Sequence, residues 1–247
     1  MKNSKFVFSK VALGLSAVST LGLAFLAGAP SASALSLNGN SVSGITSDDV
    51  GQSFQINFGG NVATNDVDGL KSTATFTLSN FSGTSAIWDV VLSNISDGGI
   101  SSRTSVLGFN VSEALSGGDS SDLFSNAVLD GSLPNQFGGL DICFTNARNN
   151  CQGGRNGGVS TGETGNFTAT MNFASAVSSF DLSNFGVRYQ SINGNGFNGD
   201  SGTGGGTTVG DNAKDVPEPM TIVGSAMALG FGSTLKKRRG KKQQKAA

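Results

Sequence analysis

The chain is 247 residues long, with 37 Gly, 4 Pro and no His, and charged residues make up only 13% of it. Gly stands at about twice its average share and charge at about half, a balance filled by Ser, Thr and Asn, so the composition argues against an all-helical fold. Without His, Ser-His-Asp and Cys-His catalysis and His-ligated zinc are excluded, and carboxylates are the acid–base groups left to an enzyme.

The net charge of -1 conceals an asymmetry: residues 35–219 hold all 17 acidic residues against six basic ones, whereas residues 1–34 and 220–247 hold only Lys and Arg. An acidic middle repels nucleic acid and anionic membrane, so nucleic acid is not expected as a partner.

Lys2, Lys5 and Lys10 precede an apolar run from Val11 to Leu26 and the small-residue site Ala32-Ser33-Ala34. These are the three parts of a secretory signal peptide over residues 1–34, which predicts cleavage by signal peptidase between Ala34 and Leu35 and export of the rest.

Residues 35–192 read as one β-rich domain. Apolar residues alternate at Phe54, Ile56 and Phe58, at Phe76 and Leu78, and at Trp88, Val90 and Leu92. The pattern returns at Leu140, Ile142 and Phe144, at Phe167, Ala169, Met171 and Phe173, and at Phe180, Leu182, Val187 and Tyr189. Period-two alternation bounded by Gly, Asn, Asp and Ser predicts half-buried antiparallel strands in an all-β fold, a β-sandwich or an open barrel. Trp88 is expected in its core. Asp97-Gly98 and Asp130-Gly131 are predicted turns, Asn65 to Gly69 a loop, and Ser112–Leu115 and Asp122–Leu129 short helical turns.

Cys143 and Cys151 are the only cysteines. In an exported chain this pair predicts a disulfide closing a short loop, because a nucleophilic or redox role lacks a His partner and the Cys-x-x-Cys spacing. From residue 193 to residue 215 the chain is rich in Gly and Asn with almost no apolar surface, which predicts a flexible linker.

The linker is followed by Pro217-Glu218-Pro219, then Met220 to Leu235 without a charge, then Lys236, Lys237, Arg238 and Arg239. This uncharged, largely apolar stretch of 16 residues with snorkelling lysines makes a short transmembrane span over 220–235, and the basic cluster places its end in the cytoplasm. The order of these parts across residues 216–247 resembles the PEP-CTERM sorting signal of Gram-negative bacteria, although the tail runs eight residues past Arg239. That resemblance implies recognition by an exosortase and transfer to the cell surface or extracellular matrix. Leu140-Asp141-Ile142-Cys143 with Asn149-Asn150-Cys151-Gln152-Gly153-Gly154 also resembles the cistern subgroup of these proteins, a likeness that carries no activity.

Candidate acidic sites are Asp48/Asp49, Asp66/Asp68 and Asp119/Asp122. Paired carboxylates suit glycoside hydrolysis or calcium, but an EF-hand around Gly69 fails because Thr64 and Thr75 stand at its first and last positions. All three pairs lie among turn residues and read as solvated loops. Asp89 and Asp141 sit between apolar neighbours, and alternation predicts that both face solvent. The sequons at Asn80, Asn94, Asn110 and Asn166 carry no inference. The sequence thus predicts a non-enzymatic, exported protein without cofactor or metal, structural or adhesive in role, with extracellular polysaccharide as a partner. A glycan- or calcium-binding module and a carboxylate-only glycosidase are the alternatives.

Overall fold

The computed structural model describes residues 35–210. The expected signal peptide with Ala32 and Ala34, residues 211–215, and the sorting signal of residues 216–247 lie outside the described residues.

Fifteen strands follow one another: β1 (Ser36–Asn38), β2 (Ser41–Ile45), β3 (Ser53–Phe58), β4 (Asn61–Val62), β5 (Asn65–Asp66), β6 (Ser72–Phe81), β7 (Ser85–Asn94), β8 (Ser101–Val111), β9 (Leu115–Asp122), β10 (Asn126–Leu133), β11 (Gly138–Thr145), β12 (Val159–Ser160), β13 (Thr164–Phe173), β14 (Phe180–Gly194) and β15 (Phe197–Thr208). All pairings are antiparallel, and ten strands form one path in the order β10, β11, β8, β14, β15, β3, β6, β7, β13, β9. The path curls until its two ends meet, so the single sheet is nearly closed into a barrel. No ladder joins β9 to β10, yet they are close: a Cβ added at Gly118 would stand 3.1 Å from the Ala127 Cβ. Near-closure shields two strand edges that would otherwise offer their amides to other chains.

Alternation decides which side chains fill the interior. In β6, β7 and β13 every second residue is buried, which places Phe76, Leu78, Trp88, Val90, Phe167 and Met171 inside. Phe76 stacks on Phe54 at 5.0 Å and meets Trp88, Phe109 and Phe185 edge-on at 6.2, 5.9 and 5.7 Å, so aromatic rings cross the lumen from wall to wall. Each such pair adds about 0.5–1.5 kcal/mol beyond its buried area. Trp88 is fully buried, as the alternation predicts.

Three expectations from the sequence are corrected. The flexible linker begins no earlier than the end of β15: residues 193–208 finish β14 and form β15, which bonds to β14 on one side and β3 on the other. Its glycines serve close packing, since a Cβ at Gly204 would sit 1.9 Å from the carbonyl oxygen of Gly59. The helical turns over Ser112–Leu115 and Asp122–Leu129 are absent: residues 112–114 form a bend that leads into β9 at Leu115, and Asp122 ends β9 before a short turn over residues 123–125 leads into β10, whose half-exposed residues, like those of β9, show no apolar period because these strands are the rims of the sheet. Asp130-Gly131 is not a hairpin turn: Asp130, at φ 50°, kinks β10 while the ladder continues from Leu129 to Gly131.

Asp49 of the Asp48/Asp49 pair is consumed locally. Its carboxylate accepts from Thr46 N at 2.8 Å, Thr46 Oγ1 at 2.9 Å and Gln52 Nε2 at 3.0 Å, capping the single 3-10 turn Ser47–Asp49. Asp49→Ala is expected to cost about 1–3 kcal/mol, measured by urea unfolding, because it leaves the Thr46 amide without its cap.

Candidate functional site

The best-defined construction outside the lumen is the excursion from β11 to β12. Cys143 lies on β11 between Ile142 and Phe144, both of which enter the core, so alternation turns its sulfur to the outer face of the sheet. There it is bonded to Cys151, with Cα atoms 6.0 Å apart. The bridge is buried in a second apolar cluster with Val106, Leu133 and Leu140. The outer cover explains why β8 is buried on both faces through its middle. The strand opposite must be bare: a Cβ at Gly131 would lie 2.1 Å from Cys151 Sγ.

Beyond the bridge the loop is tied to the sheet by side chains. Asn146 Nδ2 donates to Leu123 O at 2.9 Å, and Gln152 Nε2 donates to Ser132 O at 3.1 Å. Arg103 on β8 does the most. Its guanidinium donates to the carbonyls of Gly154 at 2.9 Å, Arg155 at 3.5 Å and Gly157, and to Gln190 Oε1 on β14 at 2.8 Å. Arg188, two residues before Gln190 on β14, is half-buried on the same outer face, flanked by the interior residues Val187 and Tyr189. Its Nε and Nη1 are buried and have no hydrogen-bond partner among the described residues. Burial holds both guanidiniums below the ordinary arginine pKa. Arg148 and Arg155, on the loop itself, are exposed.

The carboxylates are arranged differently from the sequence pairs. Asp66 and Asp68 lie in a shallow surface hollow with Lys71, which pairs with Asp97 at 3.3 Å. Asp119 and Asp122 bond to their neighbours Ser120 and Ser121. Asp122 shares a groove across β13 with Asp89, which is exposed as expected. Asp141 departs from expectation: it is half-buried, and its Oδ2 accepts from Val111 N at 2.8 Å, pinning the end of β8. It lines a hollow with Glu113 and Asp130 near the seam of the barrel. Among the described residues no three His, Cys, Asp or Glu side chains are placed to hold a metal ion. Inside the barrel, burial raises the Tyr189 phenol above its ordinary pKa, with Ser72 pulling weakly the other way.

No protein-family model, curated protein or solved structure matches this chain.

The structure therefore joins Cys143 to Cys151 as the sequence predicts. Ala32, Ala34, Pro217, Glu218, Pro219, Lys236, Lys237, Arg238 and Arg239 lie outside the described residues. The convergence of Arg103 and Arg188 beneath the cysteine loop escaped the sequence reading, because 85 residues separate them. One signal was present: no Asp or Glu interrupts residues 98–112 or 182–199.

Proposed function

We propose that this chain is an exported protein destined for the cell surface or extracellular matrix, where its β-barrel has a structural or adhesive, non-enzymatic role. Signal peptidase removes residues 1–34, the 220–235 span holds the protein in the membrane for a time, and an exosortase recognises Pro217-Glu218-Pro219. The observation that carries this reading is the order of the three C-terminal parts: the Pro-Glu-Pro triplet, the uncharged stretch to Leu235, and the Lys236–Arg239 cluster. The Cys143–Cys151 bridge supports it, since disulfides persist in oxidising compartments outside the cytoplasm.

Mass spectrometry of protein released from the cell surface is expected to find Leu35 at the amino terminus and no peptide containing Lys241 or Lys242. Surface material that still carries the basic tail refutes the processing step. Replacing Lys236, Lys237, Arg238 and Arg239 by Gln is expected to misroute or release the protein, because the charges fix topology. Unchanged fractionation of that variant counts against the sorting role.

A further inference from the structure

Charge on the described domain is segregated. Residues 98–112, 142–162 and 182–199 contain Arg103, Arg148, Arg155 and Arg188 and not one Asp or Glu. These three segments are neighbours in space: β11 and β12 pair with one side of β8, and β14 pairs with the other. The remaining described residues contain 14 carboxylates and Lys71 as their sole basic residue. Counter-ions were therefore plentiful in the chain, and Lys71 has one in Asp97. Among the described residues none of the four arginines forms an ion pair, and Arg188 buries two donors without a partner.

Such an arrangement costs stability within the chain. Four like charges repel one another, and an unsatisfied buried donor carries its desolvation penalty. An anion from outside offsets the first of these. The disulfide and the Arg103 bonds hold the loop in place, so Arg148 and Arg155 are presented from a tethered support instead of a free coil. Exposed Asn149, Asn150, Gln152 and Asn156 surround them with amide groups that both donate and accept.

We propose that the outer face of β8 and β14, with the cysteine loop above it, binds a carboxylate-bearing polysaccharide. Guanidinium forks take carboxylates in bidentate fashion, and the amides match the hydroxyls of sugars. Screening confines each charge to about 8–10 Å at ordinary ionic strength, so the patch acts locally although the domain as a whole is acidic. Duplex DNA is disfavoured, because its dense charge of one per about 1.7 Å would run on past the patch onto the acidic surface. The choice of a polysaccharide rests on the surface destination proposed above, and the binding test below is independent of the processing test given there.

The experiment uses the full chain with Lys236, Lys237, Arg238, Arg239, Lys241, Lys242 and Lys245 replaced by Gln, so that the basic tail binds no polyanion, purified in a nonionic detergent, with polygalacturonate, neutral dextran, inorganic sulfate and duplex DNA as probes, at low and high salt. Polygalacturonate is expected to bind and dextran not to, with affinity falling as salt rises. Arg148→Gln and Arg155→Gln should each weaken binding about tenfold while the melting midpoint is kept. Lys71→Gln, outside the patch, should leave binding unchanged. Absence of polygalacturonate binding overturns the proposal, and so does binding that survives the Arg148→Gln, Arg155→Gln double variant. Duplex DNA binding as tightly as polygalacturonate overturns the polysaccharide assignment. Inorganic sulfate raising the melting midpoint as much as polygalacturonate does reduces the site to one for small anions, which also overturns it.

Discussion

Replacing Gly204 by Val is expected to lower the thermal unfolding midpoint by roughly 10 °C. The reasoning starts from the backbone. Gly204 pairs with Val187 on β14, and a Cβ placed on it would stand 1.9 Å from Gly59 O and 3.0 Å from Tyr189 Cε2. A carbonyl oxygen cannot rotate away as a side chain can, so β15 or the Gly59 segment must move. Overpacking of this kind costs about 1–3 kcal/mol, and a backbone collision falls at the upper end. At about 2–4 °C per kcal/mol for a domain of this size, 3 kcal/mol gives the shift stated. The measurement is a circular dichroism melt of the full chain. In a flexible tether the same substitution would be silent, so an unchanged midpoint would return residues 197–208 to the linker read from composition.

That linker shows why the sequence was legible only in part. Strands such as β6, β7 and β13 advertise themselves because one face is buried in the lumen and the other is wet, so Phe76, Leu78, Trp88 and Met171 fall on alternate positions. β15 is written Phe-Asn-Gly-Asp-Ser-Gly-Thr-Gly-Gly-Gly-Thr-Thr and has no such period. What buries it is its main chain, bonded to β14 and β3, with neighbouring backbone and rings filling the space where side chains would stand. Composition measures the apolar area of side chains and is blind to that arrangement. β9 and β10 were missed for a related reason, since sheet rims are half-wet on both faces. The disulfide was legible because two cysteines allow one pairing; the arginine face beneath it was not, because it depends on which strands become neighbours.

Removing the Cys143–Cys151 bridge separates two effects that its burial combines. Closing a nine-residue loop removes chain entropy worth about 2.6 kcal/mol from the unfolded state. Both sulfurs also fill the outer apolar cluster with Val106, Leu133 and Leu140, where Cys143 and Cys151 are 0% and 1% exposed. Cys143→Ala with Cys151→Ala retains an apolar filling and is expected to lose about the entropic amount, with a small addition for the vacated volume. Cys143→Ser with Cys151→Ser places two hydroxyls in the same cluster and should lose about 1–3 kcal/mol more, the cost of hiding a polar group without a sure partner. Urea unfolding of the two pairs beside the parent gives both numbers, and far-ultraviolet circular dichroism should remain β-rich in each, because Cys143 pairs with Val128 and Gly108 through its main chain, which neither substitution alters. Equal losses for the Ala and Ser pairs would mean that the loop opens once the bridge is gone and exposes the cluster to water. In that event binding of polygalacturonate should fall with the bridge, since Arg148 and Arg155 would then lose the support that holds them over β8 and β14.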